Sequence, residues 1–473
     1  MNTITKLGGL ALLATLTACT TVGPDYKLPD AAVARRPAAA QPFLGAAEPV
    51  YKSEPLPDHW WRLYHDPVLD KLVQQALERN ANLRVAAANL ARSRAVVDEV
   101  EEHSKPDVSI EASPGVGRPS GIALGQEITY PDAYMYNVGV NVSYQADMFG
   151  KIRRAVESVS ADTQAAQAGV DLVRVTVAAD TARAYAEGCA AVRQMTVAQQ
   201  AVDLQQKFVA LTDERIRAGR GTAIEASRAR SQLAQLQAAL PPLQAQHRLA
   251  YYKLAALTGL APSEMDLHLL TCRAAPRLAT QIPVGDGAAL LRRRPDIRQA
   301  ERQLASATAR IGVATADLYP SISFGASIGS TGLLDHFGAG NAFRWSLGPL
   351  ISWTLPSTGT AHARIAQAQA GADGALAHFD GTVLNALKEV ESALTVYARE
   401  LDRNAALKTA RDQSALASAQ AHQLYQYGRT DFLSVLDADR TLAASDAAWA
   451  ASDAALANDQ VTLFLALGGG WEQ

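Results

Sequence analysis

The chain has 473 residues and a formal net charge of −3; 48% of it is hydrophobic, largely alanine, and only 6% is aromatic. This balance leaves no basic footprint, so nucleic acid is excluded as a partner. No metalloprotease, P-loop or CxxC pattern occurs, and beyond the N-terminus only Cys189 and Cys272 remain, too few for a disulfide scaffold or a metal site.

Residues 1–18 read as a signal peptide. Lys6 supplies a positive charge, and Leu7 to Leu16 form an apolar run shorter than the roughly 20 residues a spanning helix needs. It has the length of a secretory core. Leu16-Thr17-Ala18-Cys19 closes it in the manner of a bacterial lipobox, which would make Cys19 the lipidated first residue of the mature chain. An ordinary signal peptide with an incidental cysteine is the alternative. Thr20, where an aspartate would favour the inner membrane, points to the outer one. Apart from the covalent lipid no cofactor is expected. Residues 19–65 form an extended segment.

The rest of the chain repeats itself. Leu77 to Arg84 aligns with Leu291 to Arg298, Leu90 with Leu304 and Pro106 with Pro320. After a loop of different length Tyr136 aligns with Trp345, Gly219 with Gly428, Leu254 with Leu463 and Gly259 with Gly468. Two copies follow, 66–260 and 286–470, joined by a linker over 261–285. Each predicts a helix (67–104 and 286–318), a β-hairpin (106–146 and 320–356) and a long helical hairpin with its tip near 219 or 428. The outgoing helices, about 150–216 and 359–426, contain no proline and would extend on the order of 100 Å. Apolar residues at seven-residue spacing, Val435, Leu442, Trp449, Leu456 and Leu463, mark a coiled seam on a returning helix. Pro241-Pro242 should break the other.

The strands carry the functional argument. Val108 to Ala112, Tyr136 to Tyr144, Ile322 to Ala326 and Trp345 to Trp353 alternate as half-buried strands do. Tyr130, Tyr134, Tyr136, Tyr144, Phe324, Phe343, Trp345 and Trp353 lie near strand ends, where aromatic belts sit in membranes. A sheet in lipid must close on itself, and four strands cannot, because barrels begin at about eight. Copies of the chain must pool their strands. Two would give a bore filled by side chains; three would give twelve strands and a lumen, which a conduit requires. The expected fold is mainly α with a membrane β-barrel part: a trimeric α/β-barrel with four strands and long coiled helices per protomer.

Several motifs resemble the outer-membrane factors of tripartite efflux pumps, the TolC-like channels, in their lipoprotein branch. They are Cys19-Thr-Thr-Val-Gly23-Pro24-Asp25-Tyr26, Trp60-Trp61, Asp66-Pro67-Val-Leu69, Arg293-Arg294-Pro295-Asp296-Ile297, Tyr319-Pro320-Ser321-Ile322 and Ala466-Leu-Gly-Gly-Gly-Trp471. The resemblance covers essentially the whole mature chain. It implies a homotrimeric tube anchored by lipid in the cell outer membrane and extending into the periplasm. It further implies a periplasmic adaptor protein and an inner-membrane transporter of the RND type as partners. No catalysis is implied. A periplasmic adaptor lipoprotein and a protein-secreting conduit are the rival readings; an adaptor would need neither two strand hairpins nor a full duplication.

By the same resemblance the gate lies at the periplasmic tip, with Leu433 and Asp437 at the positions of the apolar and acidic rings and Arg440 as a partner of the closed state. Leu433 lies one turn from Asp437, so the two rings would be adjacent. Their repeat mates are Ile224 and Arg228. Arg228, Arg230 or Arg440 is expected to pair with Asp437 or Asp439. The turns Gly219-Arg220-Gly221-Thr222 and Gly428-Arg429-Thr430 are expected adaptor contacts. Cys189 and the end of the returning helix near Leu257 fall at comparable heights, which leaves an intrachain disulfide to Cys272 open.

Overall fold

The structure, a computed structural model, describes residues 21–118, 120–122, 125–266, 272, 274–278, 280–353 and 358–469. The signal peptide, Cys19 and Trp471 lie outside the described residues. Contacts divide the chain into two compact units, and both draw on both sequence copies. One combines the segment ending at Pro29 with Asn89–Ala166 and Gln299–Phe379; the other combines Asp30–Ala88, Gln167–Arg298 and Asp380 onward.

In chain order the elements are β1 (Tyr51–Lys52), α1 (Pro67–Arg79), α2 (Ala81–Glu102), β2 (Asp107–Gly117), β3 (Ala133–Ala146), α3 (Lys151–Arg217), α4 (Ala223–Ala238) and α5 (Leu240–Leu257). The second half supplies β4 (Ile282–Pro283), α6 (Gly287–Arg293), α7 (Pro295–Ala316), β5 (Ser321–Leu333), β6 (Phe343–Ser352), α8 (Thr358–Gln426) and α9 (Phe432–Ala466). Among the described residues no helix is long and apolar enough to cross a membrane.

The single helix expected at the head of each copy is two helices, broken at repeat-equivalent positions. Asp66 caps α1 by accepting from the Val68 and Leu69 amides, and Leu69, Leu72, Val73 and Ala76 bury one face. Asn80 then turns extended; its amide donates to the Leu257 carbonyl and its Oδ1 accepts from the Asn82 amide. In the second copy Arg294 leaves the helix because it precedes Pro295, and a residue before proline is disfavoured in helical conformation. Its guanidinium bonds Asp296 at 2.6 Å, Glu389 at 2.8 Å and the Ala466 carbonyl at 2.8 Å. The returning helix of the first copy breaks at Ala239, two residues ahead of Pro241.

In the unit holding the sheet, α3 begins against α7 and α2: Ser158 bonds Ser306, Arg310 bonds Asp162, and Ser93 bonds Thr163. The extended N-terminal segment is pinned there. Arg154, almost fully buried, donates to the carbonyls of Val22 and Gly23 and to Asp25. Gly23 has φ +85°, and a Cβ on it would fall 2.4 Å from the Gly312 Cα, so only glycine fits.

In the other unit the core is built on small residues, Ala178, Ala179, Ala182 and Ala186, with Leu394, Leu456 and Leu463 and with Trp60 stacked on Phe464 at 4.6 Å. Alanines let long helices approach closely without costing helical propensity. Cys189 of α3 is disulfide-bonded to Cys272. The bond closes a loop of 83 residues, for which the typical stabilisation is about 2–4 kcal/mol. Replacing both cysteines by alanine should therefore lower the thermal midpoint of the detergent-solubilised protein by several degrees. An unchanged midpoint would show the bond to be energetically idle.

Candidate functional site

Strands β2, β3, β5 and β6 form one antiparallel sheet in that order. They run 10 to 14 residues, longer than the alternating cores seen in the sequence. The register divides the sheet into a mainly apolar face and a mainly polar one, with Met135, Leu333 and Leu350 the large apolar exceptions on the polar face. Val108, Ile110 and Val116 of β2 fall beside Val142, Val140 and Tyr134 of β3; Val140 falls beside Ile328, and Tyr144 beside Phe324; Ile328 falls beside Trp345, and Ala326 beside Leu347. All these side chains share one face, because alternate residues of a strand point the same way and paired residues point together. Most are exposed, Ile110 at 79% and Leu347 at 76%. The opposite face carries Ser109, Ser113, Asn137, Asn141, Ser143, Ser323, Ser327, Thr331 and Ser346, with Ser327 bonded to Ser346.

Aromatic residues mark both ends of the apolar face. Tyr134 lies toward the interstrand connections and Tyr144 and Phe324 toward the helices, whereas Trp345 falls in the middle row beside Ile328 and Phe343 only two residues from it. Ten residues from Tyr134 to Tyr144 rise about 34 Å, or about 26 Å at a tilt of about 40°, which matches the apolar band of an outer-membrane barrel. Tyr130, by contrast, lies outside the strands and bonds Gln126.

The helical tips have their own geometry. At Gly219 and Gly428, with φ +70° and +69°, two helices end in the same way. The Arg220 amide bonds the Arg215 carbonyl, and the Arg429 amide bonds the Leu424 carbonyl. These are the closing bonds of a left-handed helix terminus. Thr222 and Asp431 then cap the returning helices, Thr222 reciprocally with Glu225. Between them Phe208, Ala229, Tyr425, Phe432, Val435 and Leu436 form a buried cluster, with Phe208 stacked on Phe432 at 5.2 Å.

The sequence model of the outer membrane efflux protein family matches this chain over residues 72–260 and again over 288–469. The chain belongs to that family. The outer-membrane channel OprN is similar to it in structure, with a TM-score of 0.88 and 36% identity, the match covering 96% of this chain and 100% of OprN. Cation efflux system protein CusC of Escherichia coli O157:H7 is 26% identical over 99% of both chains. Nodulation protein T of Rhizobium leguminosarum bv. trifolii is 29% identical over 87% of this chain and 88% of its own. This outer membrane efflux protein is thus a passive channel of an efflux system, not an enzyme, and its place is the outer membrane.

In this efflux protein Leu433 and Asp437 are both exposed on the same face of α9, and Ile224, Arg228 and Arg440 are exposed as well. Among the described residues the side chains of Asp437, Arg228 and Arg440 have no partner within the chain. Asp439 differs. It is 6% exposed and pairs with none of the expected arginines; it accepts from Ser418 at 2.6 Å and from His422 Nε2 at 2.9 Å, both on α8. Arg230 bonds Asp213 at 2.8 Å instead. The reason is helical phase: Asp439 lies two residues from Asp437, so it faces α8 while Asp437 faces outward. The repeat contains the signal that identifies the pair. Asp213 and Arg230 are the equivalents of His422 and Asp439, so both copies tie their hairpin at one position with the polarity reversed.

The hydrogen bond to Asp439 raises the pKa of His422, against an opposing effect of burial. A raised folded-state pKa adds stability that is complete below the unfolded value near 6.5 and disappears as pH rises through the folded value. The α8–α9 tip should therefore exchange its amides more slowly at pH 6 than at pH 9, once intrinsic exchange is subtracted. His422→Gln should remove that difference. A difference of the same size in the variant would assign it elsewhere.

Proposed function

We propose that three copies of the chain close their sheets into a twelve-stranded barrel and conduct small solutes outward through it, gated at the helical tips. The observation that carries this reading is the two-faced sheet with free edges. One face is fit for lipid and the other for water, and among the described residues the outer edges of β2 and β6 are left without a neighbouring strand. With four alternating strands, β6 of one copy runs antiparallel to β2 of the next, so closure continues the pattern already present.

Lipidation at Cys19 fits the same arrangement. The Val22 amide bonds the Phe149 carbonyl just beyond the helix end of β3, and three residues of chain reach no more than about 11 Å from there. A lipid on Cys19 would thus enter the membrane beside the barrel. Leu433 and Asp437 would line the tip constriction, backed by Ile224, Arg228 and Arg440. The turns Gly219–Thr222 and Gly428–Thr430 would meet a periplasmic adaptor beneath which an inner-membrane transporter, of the RND type, supplies the energy. Purified protein reconstituted in planar bilayers tests the proposal. A heat-dissociable trimer with discrete conductance steps is expected; a monomer that passes no ions would overturn it.

A further inference from the structure

One row of the polar face is unlike the others. Glu111 of β2 falls beside Gly139 of β3, Gly139 beside Gly329 of β5, and Gly329 beside Arg344 of β6. The two inner strands thus carry no side chain in this row, and their backbones lie close. A Cβ on Gly329 would meet the Val138 carbonyl oxygen at 2.4 Å, and one on Gly139 would lie 3.7 Å from Arg344 Nη2. Across the trough Arg344 reaches two strands over and donates to Asn137 Oδ1 at 2.7 Å. Glu111, at the opposite edge, is exposed. Apart from Asp107 at the first position of β2, these are the only charges that the paired strands place on this face.

We propose that Arg344 and Glu111 together set the charge preference of the conduit for its solutes. The inference rests on the polar face lining the bore, as proposed above. Arg344 is held flat against the wall by the glycine trough and Asn137, so its charge is fixed in position rather than swinging in the stream. It favours anionic solutes, Glu111 favours cationic ones, and the balance leaves this stretch of the bore indifferent to sign. Charged rings select ions by this means, and their range is set by salt: about 30 Å at 0.01 M but only about 3 Å at 1 M.

The test is the reversal potential of reconstituted channels under a potassium chloride gradient centred near 10 mM. Arg344→Gln should shift the cation-to-anion permeability ratio upward by about twofold or more, and Glu111→Gln should shift it downward by a similar factor. Arg344→Lys should stay near wild type, and both shifts should vanish near 1 M salt. If Arg344→Gln fails to assemble, Glu111→Gln and Glu111→Lys carry the test alone, with the lysine shifting the ratio further. Unchanged reversal potentials in dilute salt, or shifts of the same sign for both residues, would overturn the inference while leaving the channel intact. Wild-type protein without conductance would instead remove the barrel itself, and this inference with it.

Discussion

Arginine in place of Ile328 should abolish assembly of the channel, whereas arginine in place of Ser327, its neighbour, should leave assembly intact and reduce conductance. Ile328 is the eighth of thirteen residues in β5 and lies on the apolar face between Val140 and Trp345. An arginine facing lipid at that depth costs about 2–4 kcal/mol per chain. Closure in threes repeats the cost in every protomer, so about 6–12 kcal/mol is lost per barrel, comparable with the whole stability of an ordinary domain. Ser327 points the other way and is bonded to Ser346. An arginine there would meet water and add positive charge to the bore. The yield of heat-dissociable trimer from outer membranes reads the first effect, and single-channel current reads the second. Equal trimer yields for the two variants would mean that the faces have been assigned wrongly, or that the sheet never enters lipid.

How much the sequence reveals depends on how local each signal is. Alternation in Tyr136 to Tyr144 and Trp345 to Trp353 is a period-two pattern within one strand, so the hairpins and their closure problem are legible in the residues themselves. The strand ends are not. β2 continues through Ser113-Pro114-Gly115-Val116-Gly117, a run that resembles a turn in isolation and becomes a strand only because β3 pairs with it. The helix breaks at Asn80 and Arg294 are hidden for a similar reason. Asn80 is stabilised by the Leu257 carbonyl, 177 residues away; and at Arg294, although the following proline is in plain view, partners on other helices hold the side chain. At the tip, spacing puts Leu433 and Asp437 on one face but cannot say that Asp439 turns inward to His422. Only the comparison of the two copies, in which Asp213 and Arg230 occupy the same places, encodes that pair, and its opposite polarity conceals it from a search for like residues.

Asp437→Arg should hold the channel open. In a single chain Asp437, Arg228 and Arg440 are all exposed, and among the described residues none of their side chains has a partner, so the proposed latch of the closed tip would have to be made of pairs between copies. Exposed pairs contribute about 0.2–1 kcal/mol each. Reversing the charge replaces attraction by repulsion of similar size, a swing of about 1 kcal/mol per pair from a central value near 0.5. Three pairs give about 3 kcal/mol, or roughly a hundredfold change in the ratio of open to closed channels. Asp437→Asn removes the attraction without adding repulsion and should give roughly the square root of that change, about tenfold. The graded pair of variants separates a latch from mere disruption of α9, because loss of packing would not scale with charge. Arg440→Glu should open the channel alone and close it again in combination with Asp437→Arg, if Arg440 is the partner. Single-channel recording at low salt reads all four proteins, and a closed-state current that ignores the charge at residue 437 would dispose of the latch.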